Sequence, residues 1–200
     1  MLCIFLADAA GIAIYEQIRE NANVALYAKM AYTDMMTGLK NRAAFIDDSN
    51  RDAHTPGAVS YIMIDANNLK KVNDSLGHKR GDELLTTVAR CMEAGVKKYA
   101  GNGRCYRIGG DEFVVLYPEI KQAEFEYFVS QLQKNAKEHQ VNISYGVVWK
   151  EICENLEDLL TEADKKMYED KKLYYSNTKH NRRGQIERNS LLFTAEKKVM

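Results

Sequence analysis

The chain has 200 residues, room for one domain with a sizeable core and an additional helix or tail. With 46% hydrophobic residues, 28% charged residues and two prolines, its composition is globular and excludes a disordered or fibrous chain. Lys plus Arg and Asp plus Glu both number 28, so no net field draws the chain to nucleic acid or an anionic membrane, and any phosphate binding must be local.

The apolar opening from Met1 to Ile14 lacks a basic n-region and carries Asp8 in its middle, which argues against a signal peptide. It is also shorter than the roughly 20 residues that cross a bilayer. A soluble helix is expected, the alternative being the end of a spanning helix whose upstream part lies outside this sequence. From Ala7 to Tyr32, spacings of three and four connect Ala7, Gly11, Ile14, Ile18, Asn21, Ala25, Ala28 and Tyr32. That is a heptad seam, with Asn21 as a polar residue able to fix register in a two-stranded coil; an amphipathic helix packed on its own domain is the other reading.

A second helical stretch after Thr37-Gly38 carries Ala43 to Ile46 and ends before the turn signal Pro56-Gly57. The β-branched, apolar run from Ala58 to Asp65 reads as a strand that stops at a carboxylate. A long helix is expected from Gly81 to Tyr99, broken by Gly101-Asn102-Gly103. Two short strands, Arg104 to Ile108 and Glu112 to Tyr117, flank Gly109-Gly110-Asp111 as a hairpin. A helix from Lys121 to Glu138, a strand from Val141 to Trp149 and a helix from Leu156 to Leu173 complete the pattern. The order implies an α+β sheet with flanking helices, as in ferredoxin-like folds. From Ser176 the chain turns polar and basic and is expected to be a peripheral tail.

Cys3, Cys91, Cys105 and Cys153 form no C-x-x-C pair and lie near no matching His pattern, so neither a zinc site nor a disulfide framework is expected. A reducing cytoplasm suits them.

The chemistry gathers at two places. In Arg107-Ile-Gly-Gly-Asp-Glu-Phe113, glycines that let a ligand approach the backbone precede two adjacent carboxylates. Alone, this is most simply a solvated hairpin turn. The strand ending at Asp65 supplies a second carboxylate, and Mg²⁺ favours one or two carboxylates plus substrate phosphate over an all-protein cage. Taken singly, Asp65 reads as a helix N-cap for the segment from Asn67 onward.

With these blocks in order, the sequence resembles the GGDEF family of diguanylate cyclases from Asp34-Met-Met-Thr-Gly-Leu-Lys-Asn-Arg42 to Lys171. The signature stands at Gly109, Gly110, Asp111, Glu112 and Phe113. The motif Asp-x-x-x-x-Lys-x-x-Asn-Asp-x-x-Gly-His-x-x-Gly-Asp runs from Asp65 to Asp82. The resemblance implies a ferredoxin-like, nucleotidyl-cyclase palm-type sheet and the condensation of two GTP into cyclic di-GMP. It also implies Mg²⁺ (or Mn²⁺) held by Asp65, the Ala66 carbonyl and Asp111, with Glu112 as a further ligand or an aid to deprotonating the 3′-hydroxyl. Guanine would be read by Asn73 and Asp82, each of which is otherwise a plausible helix cap. Triphosphate would meet Lys70, Lys171 and the main chain around Leu69, while Arg107, Gly109 and Gly110 line the substrate side of the hairpin.

Two departures stand out. The family commonly continues Gly-Arg-Asn where this chain has Lys172-Leu-Tyr-Tyr175, so the usual arginine contact to phosphate is missing and weaker GTP binding is expected, unless Arg182 or Arg183 substitutes. Many relatives carry a product-binding Arg-x-x-Asp where this chain has Ala100 and Gly103, so product inhibition at that turn is not expected. The expected organisation is an N-terminal helix and possible coiled-coil linker over 1–32, a catalytic domain over 33–175 and a tail over 176–200. Two domains must face each other to build a two-fold product, which implies a homodimer under an upstream sensor. A GTP- or cyclic-di-GMP-binding regulatory module is the alternative. The implied location is the cytoplasm, or the cytoplasmic part of a membrane protein.

Overall fold

A computed structural model describes the backbone of residues 2–52, 57–99, 102–152 and 156–196, and the side chains of 11–52, 57–98, 102–152 and 157–177. Pro56, Ala100 and Gly101 lie outside the described residues, as do the side chains of Cys3, Ala7, Cys153, Arg182 and Arg183.

Helices α1 (Leu2–Tyr32) and α2 (Arg42–Asp52) precede strand β1 (Val59–Ala66). Then come α3 (Leu69–Leu76), α4 (His78–Tyr99), the hairpin β2 (Arg104–Arg107) and β3 (Glu112–Pro118), α5 (Gln122–Glu138), β4 (Ile143–Lys150) and α6 (Leu156–Glu196). The strands form one sheet in the order β2-β3-β1-β4, with every neighbouring pair antiparallel. This is the ferredoxin-like arrangement expected from the element order.

All eight residues of β1 are buried, which explains why its sequence is mostly apolar, Ser60 and Asp65 excepted, rather than alternating. Ile62, Ile64, Phe113 and Val115 face one layer with Met92 of α4 and Phe128 of α5. Tyr61, Met63, Val114 and Leu116 face the other, with Phe45 of α2 and Leu159 and Met167 of α6. Helix α6 seats tightly because Gly146 has no side chain: a Cβ there would lie 1.9 Å from the Ala163 carbonyl oxygen. That close approach carries the next turns of α6 up to the end of β1.

Two elements differ from the sequence expectation. The segment after Asp65 forms its own helix, α3, and Gly77 at φ 83 separates it from α4, which starts three residues earlier than expected. Helix α6 continues to Glu196, through the stretch expected to be a tail, because from Ser176 it meets no proline and one glycine. N-terminal helix α1 forms as expected, and every residue from Gly11 to Tyr32 is exposed, so this stretch does not pack on its own domain; its end is tied down by Asn41 Nδ2 donating to the Ala31 carbonyl at 2.7 Å. Among the described residues, no helix is long and apolar enough to cross a membrane.

Candidate active site

Antiparallel pairing sets Asp65 directly opposite Glu112, and the Ala66 N–H donates to the Asp111 carbonyl at 2.9 Å. The sheet therefore brings the end of β1 and the signature turn together. Asp65 is 2% exposed, lies within the strand and caps no helix. Its Oδ2 accepts a hydrogen bond from Lys171 Nζ at 2.5 Å, whereas its buried Oδ1 has no hydrogen-bond partner. Burial pushes the Asp65 carboxyl up, the Lys171 hydrogen bond opposes this, and the negative charge of Asp111 adds to the rise, leaving it above its ordinary value. Burial alone would lower the Lys171 ammonium, but its hydrogen bond and charge contact with Asp65, helped by Asp111, hold it above its usual range.

Lys171 was expected at phosphate and is found paired with a carboxylate. The spacing of 106 residues between the partners left nothing in the sequence to announce this. Among the described residues no group of three or more His, Cys, Asp or Glu side chains stands ready around a metal. The donor set still suits a hard cation: two carboxylates close enough to repel, and one buried carboxylate oxygen lacking any donor.

The hairpin is braced from outside. Arg107 Nη2 donates to the Gly110 carbonyl at 2.7 Å, and Nη1 reaches Asp34 Oδ1 at 3.2 Å and Oδ2 at 3.3 Å. Arg107, expected on the substrate side, therefore holds the signature turn to the segment that follows α1. Gly110 opens onto free space, while a Cβ on Gly109 would lie 2.5 Å from Glu112 Oε2.

Helices α3 and α4 bring the second pair together. Asn73 packs over Gly81, the residue before Asp82, closely enough that a Cβ at 81 would lie 1.9 Å from Asn73 Oδ1. Asn73 sits inside α3 and Asp82 inside α4, so neither is a cap. Asn73 Oδ1 is buried without a hydrogen-bond partner, and Asp82 is exposed beside it. Leu69 and Lys70 form the first turn of α3, with Lys70 exposed.

At the turn where relatives carry Arg-x-x-Asp, a Cβ on Gly103 would lie 2.1 Å from the ring of Tyr117, which is 1% exposed and packed edge-on to Phe125 and Phe128. The core occupies the space an aspartate side chain would need. Gly103→Asp is expected to destabilise the fold by about 1–3 kcal/mol, as overpacking does, and to create no product inhibition. Thermal melting and an assay titrated with product check both parts; a stable variant that became sensitive to low-micromolar product would refute them.

The sequence profile described as "Diguanylate cyclase, GGDEF domain" matches residues 31–176. The diguanylate cyclase VdcA of Vibrio cholerae is 29% identical over 181 residues, covering 84% of this chain and 52% of that protein. The diguanylate cyclase DgcS of Shewanella oneidensis is 34% identical over 150 residues, covering 70% of this chain and 50% of that protein. The chain thus spans about half the length of these two curated relatives. Among solved structures, the coiled coil and GGDEF domain of DgcB from Caulobacter crescentus, in complex with c-di-GMP, shares the fold. It aligns with TM-score 0.73 at 20% identity, covering 84% of this chain and 94% of that one. With the profile match running through both motif blocks and most of the chain, this protein belongs to the GGDEF-domain family of diguanylate cyclases.

Proposed function

We propose that this chain condenses two GTP into cyclic di-GMP and two pyrophosphates. The observation that carries the reading is the buried, unpartnered Oδ1 of Asp65 beside Asp111 at the tip of β1. A buried polar atom left unpaired costs about 1–3 kcal/mol, a cost that a cation held between Asp65 and Asp111 would remove. Asp65, the Ala66 carbonyl and Asp111, with Glu112 at the edge, are the residues that would hold Mg²⁺ or Mn²⁺. When bound, such an ion lowers the pKa of the attacking 3′-hydroxyl and takes up charge developing on the α-phosphate.

This chain's own groups do the rest. The unpartnered Asn73 Oδ1 can accept from guanine while the Asp82 carboxylate takes its second donor, and adenine would leave both unsatisfied. Lys70, Lys171 and the amides opening α3 would receive the triphosphate, with Leu69 in that first turn, Gly110 leaving room along the hairpin and Gly109 making room for Glu112. Glu112 would take the 3′-hydroxyl proton as that oxygen bonds to the facing α-phosphorus and the α–β phosphoanhydride breaks.

One GTP per domain cannot close a two-fold product, so two copies must present their sites to each other. The exposed α1, with Ile14 61% and Ile18 62% exposed in one copy, offers the surface along which two chains could coil. In this reading 33–175 is the catalytic unit, 1–32 couples it to an upstream sensor, and the site works in the cytoplasm.

A regulatory GTP- or cyclic-di-GMP-binding module is the second reading. It draws on the Lys171 ammonium already seated on Asp65 and on the missing arginine. Incubating the purified chain with GTP and Mg²⁺ separates the two. Cyclic di-GMP is expected from the wild type, with specific activity rising with protein concentration, and none from Asp111→Ala; nucleotide binding without product, even when dimerisation is forced, would favour the module.

A further inference from the structure

Helix α6 makes contacts with the turn between β1 and α3 that neither motif block accounts for. Asn68 lies in that turn with φ 65 and ψ 14, a left-handed conformation, and its side chain makes no local cap to α3. It is held from α6 instead. The Asn68 main-chain N–H donates to Tyr175 Oη at 3.2 Å, and Asn68 Nδ2 donates to Tyr174 Oη at 2.6 Å. Both tyrosines are half-buried, with their rings edge to face at 5.2 Å between centroids.

These two residues lie in the stretch Lys172 to Tyr175, where the resemblance has Gly-Arg-Asn. An arginine there can only donate, so it could not accept the Asn68 N–H; a phenol oxygen accepts it and keeps its own O–H. Lys171 and Tyr175 are four residues apart on one face of α6, and the first reaches Asp65 while the second reaches Asn68. The helix therefore fastens both the end of β1 and the turn that follows it.

We propose that Tyr174 and Tyr175 are positioning residues for the triphosphate turn. Where the family commonly has a cation on phosphate, this chain has a neutral two-hydroxyl clamp that fixes Asn68 and so aims the amides of Leu69 and Lys70. The proposal rests on the GTP reading above. It leaves phosphate charge to Lys70 and Lys171 and keeps the turn set before nucleotide arrives.

Tyr175→Phe and Tyr174→Phe remove one oxygen each and keep the rings. On the full chain without nucleotide, Tyr175→Phe is expected to speed Asn68 amide exchange, read by NMR, roughly 3- to 10-fold, as loss of one hydrogen bond does. The KM for GTP and the Kd for a non-hydrolysable GTP analogue should rise by a similar factor, with kcat within about twofold, a split that general loss of structure would not give. In an Asn68→Gly background, which takes the left-handed turn freely and keeps its N–H, Tyr174→Phe should add nothing while Tyr175→Phe still weakens binding. Unchanged exchange and affinity in Tyr175→Phe would overturn the clamp. Tighter analogue binding would overturn it too, because the hydroxyl would then be competing for an amide the phosphate needs, and so would a wild type that binds no analogue. Analogue binding with normal exchange behaviour but no cyclic di-GMP would sink the cyclase reading and leave the clamp standing.

Discussion

Asp65→Asn is expected to lower cyclic di-GMP formation by roughly 10²- to 10³-fold, the scale seen when one preorganised electrostatic group is lost, while leaving the fold intact. The substitution keeps shape and one carbonyl oxygen for Lys171 and removes the charge. Asp65 is 2% exposed, has one oxygen without a donor and lies near Asp111, so its ionised form is costly in the folded chain. Its folded pKa stands above the 3.8 of an ordinary aspartate, so the folded state binds this proton more readily than the unfolded one. Stability contributed by this group is therefore greatest below pH 3.8, falls as pH rises through the raised value, and stays lost above it. Lys171 has the same sign in a higher window: its raised ammonium stabilises fully below 10.5 and loses that contribution only as pH passes its folded value, so at pH 7 it is still present. At pH 7 Asp65→Asn relieves the costly buried charge and also removes the anion that raises Lys171, so it is expected to move Tm little, with a flatter dependence on pH just above 3.8. Product formation and circular-dichroism melts together check this; a several-degree loss of Tm with activity retained would mean that Asp65 serves the fold and not the chemistry.

That combination also explains why the site was partly legible from sequence. The strand ending at Asp65 and the Gly-Gly-Asp-Glu hairpin announce themselves because a buried strand must be apolar and must stop where a carboxylate and glycines begin. Their pairing follows from sheet topology, which the element order constrains to few choices. Helix α3 was not legible as a separate element, because its eight residues lack a side-chain cap and its entry conformation is imposed at Asn68 by tyrosines 106 and 107 residues away. The same holds for Lys171, whose chemistry looked like a phosphate contact until Gly146 let α6 settle against β4. Tyr174 and Tyr175 read in sequence as a loss of arginine; only the packed helix shows what their hydroxyls hold.

The cluster around Asp48 left no signal in the sequence as a cluster, since Asp48, Arg51, Arg104 and Tyr106 match no motif and Lys40 stands in the Asp34 to Arg42 block with no partner indicated, and it carries the largest stability effect expected here. Asp48 is 3% exposed on α2; Oδ2 accepts from Lys40 Nζ at 2.5 Å and from Tyr106 Oη at 2.8 Å, while Oδ1 lies 3.1 Å from Arg51 and 3.5 Å from Arg104. Arg104 also pairs with Asp52, so α2 is bound to β2 through two carboxylates. Burial alone would raise the Asp48 carboxyl, but the hydrogen bonds from Lys40 and Tyr106 and the charges of Lys40 and Arg104 outweigh it and hold it below 3.8. Its contribution is therefore fully present above pH 3.8 and is lost as pH falls through the depressed folded value. Asp48→Ala strands the buried Tyr106 hydroxyl and removes one of the two anions facing Arg104, which is expected to cost about 3 kcal/mol. For a chain of this size that is a fall in Tm of about 6–12 °C. The exposed Lys40 and Arg51 can return to water and add little. Because Asp48 lies outside the nucleotide site, the folded fraction should keep its rate per molecule at low temperature, the reverse of Asp65→Asn. Denaturant unfolding at pH 7 and pH 3 checks the sign: the gap between wild type and Asp48→Ala should narrow in acid, and a gap that widened would mean the carboxyl is stabilised in its protonated form.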